Sequence, residues 1–484
     1  MITAEYLSHT PQHKCGIGAA VNTDTLFRDL FKIAISTQNR GYDGCGFSIY
    51  DLSRRAIVTY SGEGKVVNVF SANAGASVAN SVSGFFNNRY RTTGDVTPDN
   101  LQPLKSGDIA VSHNGNVWNY RELAREYGVE INGQDSDTKV LAKMIEKSGD
   151  VRNGIKLLAE EALGAFNLIT MDGEGTVAAY RDPWGFHPLF GGRKGKATYF
   201  SSESPGIMAL NVYDAEEFKP GELWVVKGSE VQKEIVRPSR TKSRIPIKTR
   251  MCPFEDSYFL RPGGIFNGRL VSKFREEVGE ELAERDRFPN DGSYLVVAIL
   301  NSGRHYARGY SRRSGIPMAE GFMGNTDMSR LYMEEDKMER LGLSSQDMAA
   351  LKNMPVPQII RGKKLIVVDD SIVRAGTLPR LVENLFEAGA EEANLRIGTP
   401  PIRWPCHMGF NHSDSKKLRA TQTNGHQDHV DLVVVEERVK ASLNPKLTSL
   451  HYLPIESYKR LLGNHDDHCF GCFTGDYPFP LSFG

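Results

Sequence analysis

The chain has 484 residues, enough for two or three domains with substantial apolar cores. Its 59 basic and 59 acidic residues cancel, so neither nucleic acid nor an anionic membrane surface is an expected partner. Six cysteines in a chain of this length do not form a disulfide scaffold, which favours a cytoplasmic protein, and no apolar run approaches the roughly 18 residues of a membrane helix.

The first half begins with a short polar segment and continues with β-type patterns. Residues 1–14 lack the apolar core of a signal peptide, and Cys15 follows them. Short apolar runs between glycine-rich turns predict strands at residues 109–112, 165–170, 177–180 and 223–226. Helical periodicity predicts helices at about residues 25–38 and 137–147. Basic residues with few apolar neighbours at residues 237–250 indicate a connector rather than a nucleic-acid site.

The second half alternates helix and strand signals, a pattern typical of a parallel sheet with crossover helices. Helices are predicted at about residues 270–285, 304–314, 378–388 and 456–462. Strands are predicted at residues 294–300, 364–369 and 394–398.

The strand signal at residues 364–369 ends in two adjacent carboxylates, Asp369 and Asp370. The loop that follows, before a helical pattern, consists of Ser371, Ile372, Val373, Arg374, Ala375, Gly376 and Thr377. Small residues let backbone N–H groups approach an anion, and the next helix points its positive end at the same place. The carboxylates suit ribose hydroxyls and Mg²⁺. These residues predict a cradle for a phosphorylated ribose; a buried strand with an acidic surface turn is the alternative.

Three cysteines carry candidate chemistry of two kinds. Cys15, taken alone, is compatible with a small buried apolar residue or with a nucleophile. Cys469 and Cys472 have the C-x₂-C spacing that lets two thiolates share one metal centre. Zinc, an iron–sulfur cluster, a redox pair and two unligated thiols all remain open for this pair. His465 and His468 keep zinc among these alternatives.

Motifs from residue 15 to about residue 478 resemble the glutamine phosphoribosylpyrophosphate (PRPP) amidotransferase family, in its iron–sulfur-bearing branch. They are N-R-G-Y-D-G at residues 39–44, R-Y at 89–90, H-N-G-N at 113–116, D-S-D-T at 135–138, D-D-S-I-V-R at 369–374 and C-F-G-C-F-T-G-D-Y-P at 469–478. The resemblance implies an N-terminal-nucleophile hydrolase αββα sandwich followed by a type I phosphoribosyltransferase α/β domain. The implied divisions are a propeptide at residues 1–14, a class II glutamine amidotransferase (glutaminase) domain at 15–236, a linker at 237–251, and a phosphoribosyltransferase domain with a Cys-ligated tail at 252–484.

For the glutaminase site, the resemblance implies that a thiolate attacks the glutamine side-chain amide. The implied nucleophile is Cys15, with the Asn114 side chain and the Gly115 backbone N–H as oxyanion donors. Arg89 would pair with the glutamine α-carboxylate and Asp137 with its α-ammonium group. A further candidate, Arg40, either shapes this pocket or bonds local carbonyl groups.

Removal of the leader is part of this interpretation. A free α-amine on Cys15, with an ordinary pKa of about 8, can act as the base for the thiol. Family members with a leader often carry an acidic residue before the nucleophile, whereas His13 and Lys14 stand here.

For the transferase site, the resemblance implies that ammonia passes internally to C1 of PRPP and displaces pyrophosphate. The product is 5-phosphoribosylamine, made in the first step of purine synthesis or in a related nucleoside pathway. Ser302, Asp369 and Asp370 correspond to the family's Mg²⁺ positions, and the loop from Ser371 to Thr377 would bind the 5′-phosphate. The cysteines that match the family's [4Fe–4S] ligands are Cys252, Cys406, Cys469 and Cys472. Family analogy also implies a homo-oligomer, a dimer or a tetramer.

The transferase half departs from the family pattern in three places. Leu300-Asn301-Ser302 replaces P-D-S, and Ala375 replaces a glycine in R-G-T-T. The lid at residues 324–332 reads G-N-T-D-M-S-R-L-Y instead of K-N-R-Y-x-x-R-T-F and keeps Arg330 as its PRPP-binding cation. Two lost charge-assisted hydrogen bonds, each worth about 1.5–3 kcal/mol, would weaken PRPP binding. Two alternatives follow: a divergent paralogue that sends ammonia to another activated or phosphorylated acceptor, and a non-catalytic sensor of PRPP or nucleotide.

Overall fold

The computed structural model describes most of the chain. The described residues are 15–72, 80–89, 100–132, 135–324, 351, 353–375, 378–409, 416, 418–424 and 430–480. The leader at residues 1–14, the lid from residue 325 with Arg330, and the loop residues Gly376 and Thr377 lie outside the described residues.

Two antiparallel sheets form the centre of the first half. Their strands are β1 (Gly16–Val21), β2 (Gly44–Asp51), β3 (Ala56–Glu63), β4 (Gly84–Arg89), β5 (Leu104–Ser106), β6 (Ile109–Val117), β7 (Gly164–Met171), β8 (Val177–Tyr180), β9 (Phe190–Lys194), β10 (Ala197–Ser201), β11 (Glu216–Glu217), β12 (Glu222–Lys227) and β13 (Glu230–Ile235). One sheet has the strand order β11-β9-β10-β1-β4-β2-β3, and the other has the order β13-β12-β8-β7-β6-β5.

Helices cover the outer faces of both sheets. They are α1 (Leu26–Ser36), α2 (Val66–Ala72), α3 (Tyr120–Glu126), α4 (Asp137–Lys147), α5 (Val151–Glu161) and α6 (Ser204–Met208). Leu30 of α1 and Phe70 of α2 pack on the first sheet. Leu141 of α4 and Leu158 of α5 pack on the second sheet. The layers therefore run helix, sheet, sheet, helix, and the predicted αββα sandwich is confirmed.

The side chains of β1 show how the two sheets are held together. Ile17 and Ala19 face the second sheet, in an apolar core that also contains Ile169 of β7, whereas Ala20 packs with the helix layer. Successive side chains of a strand point to opposite faces, so a strand covered on both faces is apolar on both. The small-residue run after Cys15 is therefore a central strand.

A parallel sheet organises the second half. The strands are β14 (Ile265–Phe266), β15 (Arg269–Leu270), β16 (Tyr294–Ala298), β17 (Phe322–Gly324), β18 (Asn353–Pro355), β19 (Lys364–Asp369), β20 (Glu392–Ile397) and β21 (Ser449–Tyr452). The helices are α7 (Val271–Glu284), α8 (Arg304–Ser314), α9 (Pro357–Ile360), α10 (Leu378–Glu387), α11 (Arg419–Asn424), α12 (Leu432–Leu443), α13 (Ile455–Leu462) and α14 (Gly471–Thr474). β16, β19, β20 and β21 form the parallel sheet in that order.

Helices lie on both faces of this parallel sheet. Leu365 and Val367 of β19 pack with residues of α10 and α12, whereas Ile366 and Val368 pack with residues of α7 and α8. The α/β architecture predicted for the second half is therefore confirmed. Within the described ranges, no helix is both long enough and apolar enough to cross a bilayer.

The basic connector lies along the first half. Lys242 Nζ pairs with Glu126 of α3 at 2.6 Å and with Glu161 of α5 at 2.8 Å. Arg240 and Lys248 are exposed. Part of the positive charge in this segment is thus used in contacts with the preceding helices.

Asp256 gives the protein a testable pH dependence. It lies in a π-helical turn, Glu255–Phe259, and its Oδ1 atom is buried without a hydrogen-bond partner among the described residues. Burial raises the pKa of Asp256 to about 7, against the opposing charges of Arg269 and Arg275. An unfolded aspartate releases its proton at about pH 3.9. Between these two pKa values the folded state holds a proton that the unfolded state has lost, so this group destabilises the fold as the pH rises.

We therefore expect Asp256→Asn to gain stability relative to the wild type as the pH rises. The advantage should grow by about 2–3 kcal/mol between about pH 5 and about pH 8, because asparagine has no proton to lose. Thermal unfolding of both proteins across this range measures the difference. A constant difference in unfolding free energy at all pH values would contradict the prediction.

Candidate active site

Cys15 lies fully buried immediately before β1, at one end of the first sheet. β1 pairs with β4 so that Gly16 lies opposite Asn88, and β2 places Gly44 opposite Arg89. Burial lowers the pKa of Arg89, and the negative charges of Cys15, Asp43 and Asp137 act against this effect. The guanidinium group of Arg89 therefore lies within electrostatic range of Cys15 and Asp137, which are far apart in sequence.

Asn114 and Gly115 lie in the interior of β6, paired with β7. Gly115 has φ +153°, and a Cβ atom there would lie 1.9 Å from the carbonyl oxygen of Ala165, so only glycine fits. The side chain of Asn114 is buried, and neither of its polar atoms has a hydrogen-bond partner among the described residues. An unpaired buried amide costs about 1–3 kcal/mol, so this side chain is suited to a ligand that would pair with it.

Asp137 is held at the first position of α4. Its Oδ2 atom accepts a hydrogen bond from Val117 N at 2.9 Å, and its Oδ1 atom accepts one from Thr138 N at 2.8 Å. Both bonds come from backbone groups, so the carboxylate has a fixed orientation. Thr138 Oγ1 also donates to Oδ1 at 3.5 Å, and the Nδ1 atom of His113 lies 3.6 Å from the same oxygen.

Gln102 connects the elements of this site and was not found from the sequence. Its Oε1 atom accepts hydrogen bonds from His113 N at 2.7 Å and from Asn87 Nδ2 at 3.0 Å. Its Nε2 atom donates to Thr138 Oγ1 at 2.9 Å. The side chain thereby joins β4, β6 and α4 behind Asn114 and Asp137. Gln102 lies outside every motif, so no local signal could have indicated this role.

Arg40 is buried in a network of charges next to Cys15. Its Nε atom donates to Cys15 O at 3.5 Å, and its terminal nitrogens lie 3.1 Å from Glu203 Oε1 and 2.7 Å from Glu255 Oε1. Burial alone would lower the pKa of Arg40, but the two carboxylates outweigh it and raise that pKa. The bond to Cys15 O is the local carbonyl contact considered from the sequence. A contact of Arg40 with glutamine stays a prediction.

Glu203 and Glu255 were not found from the sequence either. Both are fully buried, yet neither lies in a motif that the sequence analysis identified. Burial tends to raise the pKa of Glu255, but Arg40 and His187 outweigh it and lower that pKa to about 2. Glu255 is therefore charged and paired inside the protein.

The second group of predicted residues meets at one edge of the parallel sheet. Ser302 follows β16, and Asp369 is the last residue of β19. The carboxyl ends of parallel strands lie at the same edge of the sheet, and ligands of α/β folds bind at that edge. Asp369 Oδ1 accepts hydrogen bonds from Ser302 Oγ at 2.8 Å and from Asp370 N at 2.9 Å. Burial and the neighbouring charge of Asp370 raise the pKa of Asp369. The structure thus brings together the three residues predicted to bind Mg²⁺.

The loop after these carboxylates is anchored by its own contacts. Ser371 Oγ donates to Asp370, Ile372 is buried, and Arg419 N of α11 donates to Val373 O at 2.8 Å. Arg374 and Ala375 follow, and Ala375 has φ +53°, the left-handed region that favours glycine. Alanine in this region therefore carries backbone strain of the order of 1 kcal/mol, which glycine would avoid.

Four cysteines of the second half line a single cavity. The cysteines are Cys252, Cys406, Cys469 and Cys472, and the lining also includes Phe186, Phe254, His407, Met408 and Tyr477. Burial raises the pKa of Cys469 to about 12, and burial also raises those of Cys252 and Cys472. The charge of the Cys406 thiolate adds to each of these three increases. The thiols, although distant in sequence, are therefore close enough to influence one another.

Comparison with known proteins identifies the family. Residues 88–209 match the family described as glutamine amidotransferase domain. The chain is 31% identical to the amidophosphoribosyltransferase of Methanocaldococcus jannaschii, over 97% of this chain and 98% of that protein. It is 34% identical to the amidophosphoribosyltransferase of Archaeoglobus fulgidus, over 92% of this chain and 93% of that protein.

Solved structures agree with this result. The glutamine PRPP amidotransferase from B. subtilis, complexed with ADP and GMP, superposes with a TM-score of 0.81 at 26% identity, covering 97% of this chain and 98% of that chain. A structure described as the allosteric regulatory enzyme of purine biosynthesis superposes with a TM-score of 0.82, also at 26% identity. Because the similarity covers at least 93% of the length of these relatives, with up to 34% identity, the chain belongs to the amidophosphoribosyltransferase family of enzymes.

Proposed function

We propose that this protein is a glutamine-dependent amidophosphoribosyltransferase. It hydrolyses glutamine at Cys15 and transfers ammonia to C1 of PRPP, giving 5-phosphoribosylamine, glutamate and pyrophosphate, in the first step of purine synthesis. The proposal depends on one observation, which is that the same chain contains two candidate sites. Cys15 lies at one end of the first antiparallel sheet, and Asp369 and Asp370 lie at the carboxyl edge of the parallel sheet. Relatives of the same length carry the name of this activity.

The glutaminase step assigns one role to each residue of the first site. The thiolate of Cys15 attacks the side-chain carbonyl of glutamine, and the Asn114 amide and Gly115 N–H stabilise the oxyanion. Collapse of the intermediate expels ammonia and leaves a thioester, which water hydrolyses to glutamate. Arg89 binds the α-carboxylate and Asp137 binds the α-ammonium group. The unpaired, buried amide of Asn114 supports its part in this scheme.

The same scheme requires cleavage before Cys15, so that residues 1–14 are a propeptide. The free α-amine then takes the proton of the thiol and returns it to the leaving ammonia. Residues 15–236 would form the glutaminase domain, residues 237–251 the linker and residues 252–484 the transferase domain. The N-terminal mass of the purified active protein tests the cleavage, and a retained Met1 would contradict it.

The transferase step relies on the second site. Ser302, Asp369 and Asp370 would hold Mg²⁺, which stabilises the charge on the leaving pyrophosphate. The donor set fits this ion, since carboxylate and hydroxyl oxygens are the ligands that Mg²⁺ prefers. The loop from Ser371 to Thr377 would bind the 5′-phosphate, with Arg330 contributing from the divergent lid.

The substitution Asn301→Asp tests the effect of the departure from the family's P-D-S sequence next to this site. The family carries an acidic residue here, and Asn301 is exposed next to Ser302. Restoring the carboxylate should lower the Mg²⁺ concentration needed for half-maximal pyrophosphate release by about fivefold, because a charged ligand binds the cation better than an amide. Asn301→Ala is the matched control and should show no gain. Equal behaviour of the two variants would show that position 301 does not face the cation.

We infer that Cys252, Cys406, Cys469 and Cys472 hold a [4Fe–4S] cluster, as in the cluster-bearing branch of the family. The four thiols share one cavity, which suits a centre with several metal ions. A zinc ion would need its donors within about 2.3 Å of one point. Among the described residues, no group of three or more His, Cys, Asp or Glu side chains is already arranged to hold a metal ion, and this applies to a cluster and to zinc alike. When bound, the cluster would serve as a structural cross-link of the tail.

Cys472→Ser should abolish the cluster. The anaerobically purified wild type is expected to be brown with about four iron atoms per chain, and the variant to be colourless, since a hydroxyl replaces one thiolate ligand. Cys45→Ser removes a buried cysteine of β2 outside the cavity and should keep the iron. A colourless wild type with stoichiometric zinc would contradict the cluster.

A joint assay of both products tests the function as a whole. Purified protein is incubated with glutamine, Mg²⁺ and PRPP, and glutamate and pyrophosphate are measured together. Equal release of the two supports the proposal. Glutamate without pyrophosphate would favour a divergent paralogue or a non-catalytic sensor, and other phosphorylated acceptors then separate these two. We also propose a cytoplasmic homo-oligomer, a dimer or a tetramer, which light scattering of the same sample tests.

A further inference from the structure

Contacts between buried side chains connect Cys15, the proposed nucleophile, to the cavity lined by Cys252, Cys406, Cys469 and Cys472. Arg40 forms one end, with Nε 3.5 Å from Cys15 O and a terminal nitrogen 2.7 Å from Glu255 Oε1. Glu255 lies one turn after Cys252, and its N–H donates to Cys252 O at 3.1 Å. Three contacts, through two side chains, therefore connect the backbone of Cys15 with the backbone of Cys252.

His187 extends this series of contacts from Glu255 to Met408 and Cys406, two further residues that line the cavity. Its Nδ1 atom lies 2.8 Å from Glu255 Oε1, and its Nε2 atom lies 3.2 Å from Met408 O. Met408 N in turn donates to Cys406 Sγ at 3.3 Å. Arg40, Glu255 and His187 are each at most 3% exposed, so these contacts are made away from water. We call these three side chains the positioning network.

A second contact reaches the strand that carries the oxyanion donors. Asn116 Nδ2 donates to His407 O at 2.7 Å, and the rings of Trp118 and His407 lie 4.8 Å apart. Asn116 is two residues after Asn114 in β6, so their side chains point to the same face. The loop at residues 406–408 therefore touches both the network behind Cys15 and the oxyanion strand.

We propose that the positioning network transmits the state of the four-cysteine centre to the glutaminase site. An occupied centre holds the loop at residues 406–408, which fixes His187, Glu255 and Arg40, and thereby the backbone at Cys15. Buried, fully paired charges have few alternative arrangements, so displacement of one member displaces the others. The inference rests on the proposed function, and it assigns His187 and Glu255 as positioning residues rather than catalytic ones.

Glu203 provides a matched control. It binds the same guanidinium group of Arg40, at 3.1 Å, but its other bonds come from Asn39 Nδ2 at 2.8 Å and Arg261 N at 3.1 Å. None of these partners lines the four-cysteine cavity. Loss of Glu203 therefore disturbs Arg40 without interrupting the connection to the cysteines.

The experiment measures how metal removal changes the reactivity of Cys15. Wild type, His187→Asn and Glu203→Gln are treated with iodoacetamide before and after removal of the metal by a chelator, and alkylation of the Cys15 peptide is followed by mass spectrometry. Asparagine can keep the bond to Glu255 but is too short to reach Met408 O, so the buried carboxylate stays paired. Iron content and the kcat and KM for glutamine hydrolysis are measured on the same samples.

In the wild type and in Glu203→Gln, metal removal should slow alkylation by about tenfold to a hundredfold, the range expected from displacing a reacting group by up to 1 Å. In His187→Asn, alkylation of the metal-loaded protein should already be slow, and metal removal should change it by less than about twofold. Glutamine hydrolysis by this variant should lose kcat with little change in KM, since Arg89 and Asp137 are untouched.

Equal rates of Cys15 alkylation in metal-loaded and metal-free wild-type protein would overturn the inference, and this result needs no variant. An undiminished effect of metal removal in His187→Asn overturns it as well. The proposed function fails separately, when wild-type protein hydrolyses glutamine but releases no pyrophosphate from PRPP.

Discussion

Cys15→Ala protein is expected to release no glutamate from glutamine and to keep forming phosphoribosylamine when ammonium salts replace glutamine. The thiol forms the only covalent bond to glutamine in the proposed scheme, so its loss should lower glutamine-dependent turnover by about 10⁴-fold or more. Free ammonia needs no nucleophile. The residues proposed for PRPP, from Ser302 and Asp369 onwards, lie on other elements and stay in place.

The measurement compares pyrophosphate release with glutamine and with ammonium chloride as nitrogen donor. Cys45→Ala is the control, because Cys45 is an equally buried cysteine of the same half that the scheme does not use. Loss of both activities in Cys15→Ala, with the fold intact by circular dichroism, would contradict two separable sites. Retention of the glutamine-dependent activity would exclude Cys15 as the nucleophile.

Asp370→Asn should have the opposite effect. Pyrophosphate release should fall by about 10²–10³-fold with either nitrogen donor, because the substitution removes one of two carboxylates from the proposed Mg²⁺ and ribose site. Glutamine hydrolysis at Cys15 should continue. Asp370 is buried next to Asp369, so asparagine also removes a repulsion between like charges, and the fold should tolerate it.

Asp291→Asn is the control for this second substitution. Asp291 precedes β16 and therefore lies at the amino edge of the sheet, away from the proposed site. Its replacement should leave pyrophosphate release within about twofold of the wild type. Unchanged pyrophosphate release in Asp370→Asn would exclude this carboxylate from the reaction. Pyrophosphate release by the wild type that falls in Asp370→Asn would also exclude a non-catalytic sensor, because a sensor releases no pyrophosphate.

Elements with a strong local pattern were predictable from the sequence. The helices Asp137–Lys147 and Arg304–Ser314 and the strand Lys364–Asp369 have the predicted limits. β6 was predicted only to residue 112 but extends to Val117. Its second half is polar, and this hides the strand in the sequence, although β7 pairs with it throughout. A strand whose side chains serve a site has no apolar pattern to reveal it.

The residues proposed for the two reactions were named from the sequence by their resemblance to a family. Asn114, Asp137 and Asp369 lie in three short motifs, and Cys15 follows the polar leader. The buried residues that hold these side chains and their backbone in place could not be named from the sequence. Glu255 is 215 residues from Arg40, and no local pattern distinguishes it from a surface glutamate.

Residue types and short spacings were enough to predict the two kinds of chemistry, the order of the two halves and most of their helices and strands. The folded chain was needed to show which charged groups are buried and paired, which polar groups have no partner among the described residues, and that the loop at residues 406–408 contacts the first half. Such contacts arise when distant segments pack together and exclude water, and the physical consequence, a charge fixed in a low-dielectric interior, is a property of the packed chain alone.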